Sequence, residues 1–378
     1  MPQSLFKHYV YLGETAGVAN KYSPTDVLDL SVQNITRQNF VSKIKNCDYI
    51  FMPIEVYTAR SSIALIDLIK NYTDAKLVGY GTAIALNPKI FAPHFDYLIT
   101  SGFYGNAVKD LIQNTATINN KIITVTKNTT TEWGYPLLDK LPVQEYKKIS
   151  GNEIDLCVQM GCSYNCAFCM EKIFHPGNFI EHRPVEDILK FLDTNIYDKY
   201  FFDATTFTAN KSWTVELCEQ MAKNIKRPLR WRTVSRIDCI NDEICSALKM
   251  AGCYQIGFGI ETLSKDVQKS VHKIITEKRI KQTFATLDKY GIEPRGFFIL
   301  GLPNQTKADI EYCQDFITKN RINCRWKEYM PLRKCMNFSK IEDFKEFEKD
   351  NFFFHPVKGM TKREYLDVLL SNNRYKGK

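Results

Sequence analysis

The sequence predicts an α/β protein with two regions of parallel sheet. Apolar runs typical of buried strands alternate with amphipathic runs typical of helices, first over residues 1–130 and again over 151–332. Parallel strands need crossover connections, which are usually helices, so this alternation favours parallel pairing. We therefore expect a doubly wound parallel sheet over 1–130, a polar linker over 131–150, a second α/β region over 151–332 and a short helical segment over 333–378.

In the N-terminal region the strands are expected at KHYVYLG, DVLDLSV, CDYIFMPIEV, AKLVGYG and FDYLITS, and the helices at SSIALIDLIKNYT and GNAVKDLIQ. A further short strand, KIITVTK, is expected close to the Thr- and Asn-rich linker. Sheets of this kind bind ligands beyond the carboxyl ends of their strands. The turns that follow the strands are therefore the candidate binding residues.

In the second region six strands are expected, at DLCVQMG, DKYFFDATTFT, PLRWRTVSRID, YQIGFGIET, EPRGFFILGLP and INCRWKEYMPL. Each of the first five is followed by at least one amphipathic stretch, beginning with RPVEDILKFLDTN, so the region predicts successive βα units. In the C-terminal segment IEDFKEFEKDNFFF and TKREYLDVLL are expected to be helical.

Composition excludes several classes of protein. Of the 378 residues, 44% are hydrophobic and 25% are charged, which is the balance of a folded chain. No apolar run reaches the roughly 18 residues of a membrane helix, and no signal peptide precedes the first element, so we expect a cytoplasmic protein with no membrane partner. The net charge of +9 is scattered without a dense Lys/Arg block, so nucleic acid is not expected as a partner.

Three of the twelve cysteines form a cluster, C-x3-C-x2-C, at Cys162, Cys166 and Cys169. Thiolates at this spacing can bind one face of a four-iron cluster and leave its fourth iron open to another ligand. A zinc site is the alternative, with Cys157 or His175 as the fourth ligand. The sequence has no second C-x2-C knuckle, which such a zinc site usually includes.

The other nine cysteines are scattered, mostly within apolar runs, as expected of small packing residues. Two of them, Cys324 and Cys335, lie near the last predicted strand. They are candidates for catalytic cysteines that face a substrate, with simple packing as the alternative.

The cysteine loop, with the aromatic Phe168 before its last cysteine, resembles the radical S-adenosylmethionine (SAM) superfamily. The resemblance implies that Cys162, Cys166 and Cys169 hold a 4Fe-4S cluster whose open iron is chelated by SAM. It also implies reductive cleavage of SAM to a 5′-deoxyadenosyl radical. The six predicted strands match the partial (β/α)6 barrel of that superfamily.

The resemblance also implies the SAM contacts. Besides Phe168, they are Asp203 and Thr206 in FFDATTFT, Arg236 in TVSRID and Glu261 in GFGIET. Arg236 would pair with the SAM carboxylate, and Glu261 would accept hydrogen bonds from the ribose hydroxyls. The structural alternative is that Arg236 and Glu261 only form ion pairs inside the barrel.

Before the barrel, LVGYGTAIALNP and FDYLITSGFYGNAVKDLI are similar to the Rossmann-like cobalamin-binding domain of cobalamin-dependent radical SAM enzymes. The resemblance implies that cobalamin is held by two turns, whose residues are Gly79, Gly81, Thr82, Ser101, Gly102 and Gly105. The loop YLGETAGVANKYSP lacks the axial histidine of the wider D-x-H-x-x-G pattern, and the second turn lacks an acidic residue. The alternative is a domain that keeps this fold without a ligand.

These features predict a cobalamin-dependent radical SAM methyltransferase that acts on an unactivated centre. The expected partners are a small-molecule or peptide substrate and a reductant such as flavodoxin or ferredoxin. One alternative is a cobalamin-binding radical SAM enzyme that catalyses a radical rearrangement or cyclisation without methyl transfer, and another is a radical SAM enzyme with an empty N-terminal domain. A more distant alternative is a non-catalytic iron–sulfur or zinc protein. The aromatic run Phe352–His355 is expected either to pack as a tail or to cover the barrel mouth.

Overall fold

The structure is a computed structural model that describes residues 8–125, 130–348 and 356–371. Contacts divide the chain into two compact units. Within the described residues the first unit comprises 8–125, 130–151, 170–177 and 331–348, and the second comprises 152–169, 178–330 and 356–371.

The first unit contains a five-stranded sheet, in the described residues, with the strand order β1-β2-β3-β5-β4. All neighbouring pairs are parallel except β4 and β5, which are antiparallel. The strands are β1 (Tyr49–Pro53), β2 (Lys76–Tyr80), β3 (Tyr97–Ile99), β4 (Thr117–Asn119) and β5 (Ile122–Thr124). The helices are α1 (His8–Tyr22), α2 (Arg37–Ile44), α3 (Ala59–Lys70), α4 (Thr82–Leu86), α5 (Pro88–Phe91), α6 (Tyr104–Ile112), α7 (Val143–Ser150) and α8 (Glu171–Phe174), with 3₁₀ turns at Leu332–Asn337 and Ile341–Phe347.

Two of the strands predicted in the first unit are wrong. The run KHYVYLG lies largely in α1, and DVLDLSV forms no strand in the described chain. A short apolar run does not by itself distinguish a strand from a buried helix. Here tertiary packing selects the helix: Val18 and Ala19 join the core formed with α6, and a side chain on Gly17 would overlap the carbonyl group of Tyr135.

The predicted linker is part of the first unit. It contains α7, and the hydroxyl of Tyr146 on that helix donates a 2.6 Å hydrogen bond to Asp29. Lys21 on α1 donates to the backbone carbonyl of Trp133 at 2.7 Å. The short strand predicted in KIITVTK is confirmed as β5.

The second unit contains a six-stranded parallel sheet, in the described residues, with the order β13-β12-β11-β10-β9-β6. A separate antiparallel pair joins β7 to β8. The strands are β6 (Glu153–Cys157), β7 (Gln159–Gly161), β8 (Ile180–His182), β9 (Lys199–Asp203), β10 (Trp231–Ser235), β11 (Cys253–Glu261), β12 (Glu293–Leu300) and β13 (Cys324–Glu328). The helices are α9 (Val185–Thr194), α10 (Lys211–Asn224), α11 (Asp242–Met250), α12 (Lys265–Ser270), α13 (Glu277–Lys289), α14 (Lys307–Lys319) and α15 (Lys362–Leu370), with 3₁₀ turns at Phe207–Ala209 and Ile237–Cys239.

All six strands predicted for this region are present, in the predicted order and with parallel pairing. Their apolar runs are nearly continuous because a parallel sheet is usually covered on both faces. The core is aromatic: the Trp231 ring lies 4.9 Å from Phe202 and 5.2 Å from Phe207, measured between centroids.

The C-terminal segment is only partly as predicted. A capping box at Thr361 begins α15, which confirms the helix predicted in TKREYLDVLL. The stretch Ile341–Phe347 is 3₁₀ rather than α-helical. The run Phe352–His355 lies outside the described residues. Among the described helices, none combines the length and the apolar character needed to span a bilayer.

Candidate cluster and cofactor site

Three residues of the candidate SAM site lie where strands of the six-stranded sheet end. Asp203 ends β9, Arg236 follows β10, and Glu261 ends β11. The carboxyl ends of parallel strands lie along one edge of a sheet, and ligand sites of α/β folds form there. The chain of β6 leads through β7 into the cysteine loop, so the loop and these side chains belong to the same unit.

The cysteine loop is held by backbone hydrogen bonds. The N–H of Cys169 donates to the carbonyl of Cys166 at 3.1 Å, which closes a turn between two of the thiols. The N–H of Ala167 donates to the carbonyl of Val271, also at 3.1 Å, which fastens the loop to the end of α12. All three thiol residues are partly exposed, whereas Cys157, before the loop, is buried.

Tyr164, between the first two cysteines, contacts a cation. The Arg236 guanidinium carbon lies 3.5 Å from the centroid of the Tyr164 ring. The Nε and Nη2 atoms of Arg236 donate to the two carboxylate oxygens of Asp238 at 2.9 and 2.8 Å. Burial acts to raise the pKa of Asp238, but these hydrogen bonds and the charge of Arg236 outweigh it and hold that pKa below its ordinary value.

Phe168, between the last two cysteines, packs against an apolar cluster. Its partners there include Val267, Val271 and Leu302. The ammonium group of Lys273 lies 5.9 Å from the centroid of the Phe168 ring. The two aromatic residues of the loop are therefore each next to a cation.

Glu261 occupies a strained turn at the end of β11. Its φ is +65°, a region that residues other than glycine rarely adopt, and a register shift interrupts the β11–β12 pairing beside it. Glu261 is buried, and its carboxylate accepts a 2.7 Å hydrogen bond from the Lys273 ammonium. A side chain on Gly259 would overlap the Glu261 Oε1 and Lys273 Nζ atoms and would therefore displace this ion pair.

Asp203 and Thr206 lie in a turn held by Gln159. The amide of Gln159 accepts from the Thr206 N–H at 2.7 Å and donates to the Thr206 carbonyl at 2.9 Å. Thr206 is 1% exposed, so its backbone and side chain are enclosed by protein. Asp203 pairs with Cys157 in the register of β6 and β9, and its carbonyl accepts from the Val158 N–H.

In the first unit, the turn after β2 is joined to the turn after β1. Gly81 has φ +105°, and a side chain there would overlap the backbone of Ile54. The Thr82 hydroxyl donates to the Glu55 carboxylate and accepts from the Val56 N–H at 3.3 Å. Gly79 lies within β2, where a Cβ would meet the side chains of Ile84 and Phe95 at 3.1 Å.

The turn after β3 is filled by α8 and by the predicted linker. The Gly102 N–H donates to the carbonyl of Phe174 at 2.8 Å, and a side chain on Gly102 would overlap the imidazole of His175. The Nδ1 atom of His175 lies 2.7 Å from a Glu171 carboxylate oxygen. A side chain on Gly105 would overlap the carbonyl of Glu132. Packing within the unit therefore accounts for glycine at 102 and 105.

Two observations in the first unit still fit a bound ligand. The Ser101 hydroxyl is buried and has no hydrogen-bond partner among the described residues, so a ligand could satisfy it. A cavity of about 1050 Å³ is lined by residues that include Glu55 and Tyr57, after β1, and Tyr80, at the end of β2, but by none of the six residues predicted to hold cobalamin. This volume is at the upper end of the range for small-molecule sites.

The segment compared with the D-x-H-x-x-G loop lies mostly in α1 rather than in a loop after a strand. Its lack of histidine therefore gives no information about an axial ligand of cobalamin.

The two candidate catalytic cysteines are buried. Cys324 is the first residue of β13, which places it at the amino end of its strand rather than at the carboxyl end. Cys335 lies in a 3₁₀ turn of the first unit, and burial raises the pKa of its thiol to about 12. A buried thiol with a raised pKa is a poor nucleophile, which argues against Cys335, and the position of Cys324 at the amino end of its strand argues against a catalytic role there.

The donor set of the loop fits an iron–sulfur cluster. It offers three partly exposed thiols, and burial raises the pKa of Cys166 against the opposing charges of Lys273 and Arg236. Among the described residues, no three His, Cys, Asp or Glu side chains are gathered to hold a single metal ion. Of the two alternative zinc ligands, the Cys157 Sγ lies 3.6 Å from the Gln159 carbonyl oxygen, and the His175 Nδ1 lies 2.7 Å from a Glu171 carboxylate oxygen.

Several residues of the site were missed by the sequence analysis: Gln159, Tyr164, Asp238 and Lys273. Tyr164 carried a signal, because it is an aromatic residue inside the cysteine loop. The other missed residues are ordinary polar residues in the sequence. Only the folded structure shows that they contact the predicted site residues and hold them in place.

Comparison with known proteins agrees with the resemblance. Residues 156–317 match the Radical SAM superfamily. An uncharacterized methyltransferase of Pyrococcus horikoshii is 28% identical over 188 residues, which are 49% of this chain but only 40% of that protein. The chain thus spans less than half of that relative.

Two solved structures share the fold. One is the radical SAM methyltransferase TsrM of Kitasatospora setae with cobalamin and a 4Fe-4S cluster bound, with 13% identity and a TM-score of 0.66 over 85% of this chain and 71% of that one. The other is the cobalamin-dependent SAM radical enzyme OxsB with aqua-cobalamin and SAM bound, with 18% identity and a TM-score of 0.68 over 89% of this chain and 52% of that one. The predicted resemblance is confirmed for this part of the chain, which contains a radical SAM domain over residues 156–317.

Proposed function

We propose that this chain is a cobalamin-dependent radical SAM methyltransferase that acts on an unactivated centre of a small molecule or a peptide. One observation carries the proposal. The likeness in fold to TsrM and OxsB extends over 85% and 89% of this chain, so it takes in the first unit as well as the radical SAM domain. Both of those structures contain cobalamin.

In this proposal the six-stranded sheet is the partial (β/α)6 barrel, and the five-stranded sheet is a Rossmann-like cobalamin-binding fold. We assign the cofactor domain to residues 1–130, the linker to 131–150, the barrel to 151–332 and the C-terminal helical segment to 333–378. The contacts described above show in addition that the linker residues pack within the first unit.

The cluster with SAM supplies a 5′-deoxyadenosyl radical when bound, and cobalamin supplies a methyl group. Cys162, Cys166 and Cys169 would hold the cluster, and Glu261 would accept hydrogen bonds from the ribose of SAM. Because Asp238 engages the Nε and Nη2 atoms of Arg236, the SAM carboxylate would bind at Nη1. Phe168, Asp203 and Thr206 would shape the same pocket.

In the first unit the turns Gly79–Thr82 and Ser101–Gly105 would hold cobalamin. The Ser101 hydroxyl, buried without a described partner, supports this assignment. The cavity of about 1050 Å³ beside Glu55 and Tyr80 supplies space for a large ligand.

The overall reaction of a methyltransferase of this kind determines how much SAM and how many electrons the enzyme needs for each methyl group transferred. Methylation of one substrate would consume two molecules of SAM. One would be converted to S-adenosylhomocysteine, and the other, with a hydrogen atom from the substrate, to methionine and 5′-deoxyadenosine. The C–H bond is replaced by a C–CH3 bond, and an external reductant, such as flavodoxin or ferredoxin, supplies two electrons to balance the two sulfonium charges.

One finding favours a second candidate, a radical SAM enzyme whose first unit binds no corrinoid. The glycines at 102 and 105 are explained by His175 and by the carbonyl of Glu132 without any cofactor. In that case the radical chemistry would proceed without cobalamin.

Anaerobic reconstitution separates the two. The protein is loaded with iron and sulfide, incubated with hydroxocobalamin, desalted and examined for corrinoid absorbance, and then given SAM and a strong reductant. The methyltransferase proposal predicts retained corrinoid together with 5′-deoxyadenosine. Formation of 5′-deoxyadenosine without retained corrinoid would support the second candidate, and an intact cluster that forms none would exclude both.

A further inference from the structure

The strained turn at Glu261 needs support from its surroundings. The N–H of Thr262 donates to the carbonyl of Ile260 at 2.8 Å, so Glu261, with φ +65°, is the central residue of a three-residue turn. Turns of this kind are rare and strained. A strained backbone persists only where neighbouring groups hold it, and such sites are often functional.

One support is Gln268 on α12. Its Nε2 donates to the carbonyl of Thr262 and to that of Ile275, each at 2.9 Å, and its Oε1 accepts from the Ile275 N–H at 3.3 Å. The side chain is 3% exposed. Gln268 therefore ties the residue after Glu261 to the chain that leaves α12.

The second support is Lys273, whose ammonium donates to the Oε1 atom of Glu261 at 2.7 Å, with both side chains 9% exposed. The end of α12 places it: His272 has φ +55°, and the N–H of Lys273 donates to the carbonyl of Gln268 at 3.0 Å. This geometry is typical of a helix C-terminus that stops on a left-handed residue. The backbone conformation at the end of α12 therefore places the Lys273 ammonium beside the Glu261 carboxylate.

The same helix end holds the cysteine loop. Val271, two residues before Lys273, accepts from the Ala167 N–H at 3.1 Å, and Phe168 packs on Val267 and Val271. The strained turn and the loop that carries the thiols thus share one support. Their relative position depends on a short stretch of chain, Val267–Lys273.

From these contacts we infer that Lys273 is a positioning residue of the SAM site. It holds one carboxylate oxygen of Glu261, Oε1, so that the other, Oε2, is oriented toward a ligand hydroxyl. Lys273 acts through Glu261 and need not itself contact the ligand. The inference rests on the proposed function in one respect, because it takes the bound ligand to be SAM.

The test compares Lys273→Met with Lys273→Arg and with a control, Lys269→Met, which removes an exposed lysine from the same helix. Each protein is loaded with its cluster, its iron content is measured, and the SAM dissociation constant is determined by equilibrium dialysis without reductant. Loss of one hydrogen bond to a charged group lowers affinity by about 10–100-fold, so Lys273→Met should weaken SAM binding to that extent with the iron content unchanged. Lys273→Arg should restore part of the affinity, and Lys269→Met should match the wild type.

A double-mutant cycle tests whether Lys273 acts through Glu261. In a Glu261→Gln background, Lys273→Met should weaken SAM binding by no more than about twofold further. Wild-type affinity in Lys273→Met would overturn the inference, as would equal losses in both backgrounds. If Lys273→Met does not fold, Lys273→Arg decides: an affinity below that of the wild type, with no further loss when it is combined with Glu261→Gln, supports the inference, and equal losses in both backgrounds overturn it. A wild-type protein that binds SAM but transfers no methyl group would contradict the proposed function and leave this inference standing.

Discussion

The guanidinium carbon of Arg236 lies 3.5 Å from the centroid of the Tyr164 ring, and its Nε and Nη2 atoms donate to both carboxylate oxygens of Asp238. Tyr164 lies between Cys162 and Cys166. The cluster loop is therefore held at this end by a side chain from the turn after β10. The Asp238 carboxylate aligns the Arg236 guanidinium, which stacks on the face of the Tyr164 ring.

We predict that Arg236 and Tyr164 are energetically coupled. Lysine in place of Arg236 loses both the bidentate contact and the planar stack, so Arg236→Lys should lower the free energy of unfolding by roughly 1–2 kcal/mol. A cycle with Tyr164→Leu, measured by urea denaturation of the cluster-free protein, should give a coupling energy of about 0.5–1 kcal/mol.

The control for this cycle is Arg230→Lys. Arg230 lies over Tyr254, 5.3 Å from its ring centroid, away from the cluster loop. It should show no coupling to Tyr164→Leu. A coupling energy near zero between Arg236→Lys and Tyr164→Leu would mean that the stack does not stabilise the folded chain.

The radical SAM domain was largely predictable because its signals are local. Three cysteines within eight residues, and apolar strands that alternate with amphipathic helices, are visible without knowledge of the fold. The positions of Arg236 and Glu261 followed from the same pattern, since each comes at the end of a strand. Local periodicity and parallel topology together place such residues on one edge of a sheet.

The partners of these residues were not predictable. Lys273 is 12 positions from Glu261, and only the left-handed residue that ends α12 delivers its ammonium to the carboxylate. In the first unit, α1 was predicted as a strand because its packing partner, α6, lies far along the chain. Likewise, glycine at 102 suggested a cofactor, whereas the folded chain fills that space with His175.

A second prediction tests the role of Gly102. Its backbone permits alanine, but the new methyl group would overlap the His175 imidazole, so Gly102→Ala should cost about 1–3 kcal/mol of unfolding free energy. In a His175→Ala background the space is open, and the same change should cost no more than about 0.5 kcal/mol. Equal costs in the two backgrounds would contradict this explanation.

The Gly102→Ala and His175→Ala variants also test whether the turn after β3 binds cobalamin. If Gly102 were needed only for packing, the double variant should retain hydroxocobalamin as well as His175→Ala does. A specific loss of corrinoid in the double variant, with stability restored, would instead show that the methyl group blocks the cofactor. Absorbance of the desalted protein measures this directly.

A third prediction concerns pH. Burial lowers the pKa of His182 to about 4, and the Gln159 Nε2 lies 3.1 Å from the His182 Nε2. Between an unfolded pKa near 6.5 and the folded value, the unfolded chain binds more protons than the native one. The free energy of unfolding should therefore fall as the pH falls through this window, and this contribution should level off below it.

His182→Gln removes the titrating group. Urea denaturation of the cluster-free protein between pH 7 and 4 should show a shallower loss of stability in the variant than in the wild type. The difference between the two curves isolates His182 from the other groups that titrate there. Parallel curves would show that His182 has the same pKa in the folded and unfolded chains.

The last prediction separates the loop thiols from the other cysteines. If each of Cys162, Cys166 and Cys169 binds its own iron, replacing any one with alanine should abolish the brown absorbance and most of the bound iron after anaerobic reconstitution. Cys239 is the matched control, since it is partly exposed and its Sγ lies 3.7 Å from the hydroxyl of Tyr164 in the same loop. Cys239→Ala should keep the full cluster because its thiol contacts the loop without belonging to it. Full iron content in any of the three loop variants, or stoichiometric zinc in the wild type, would contradict the assignment of the cluster.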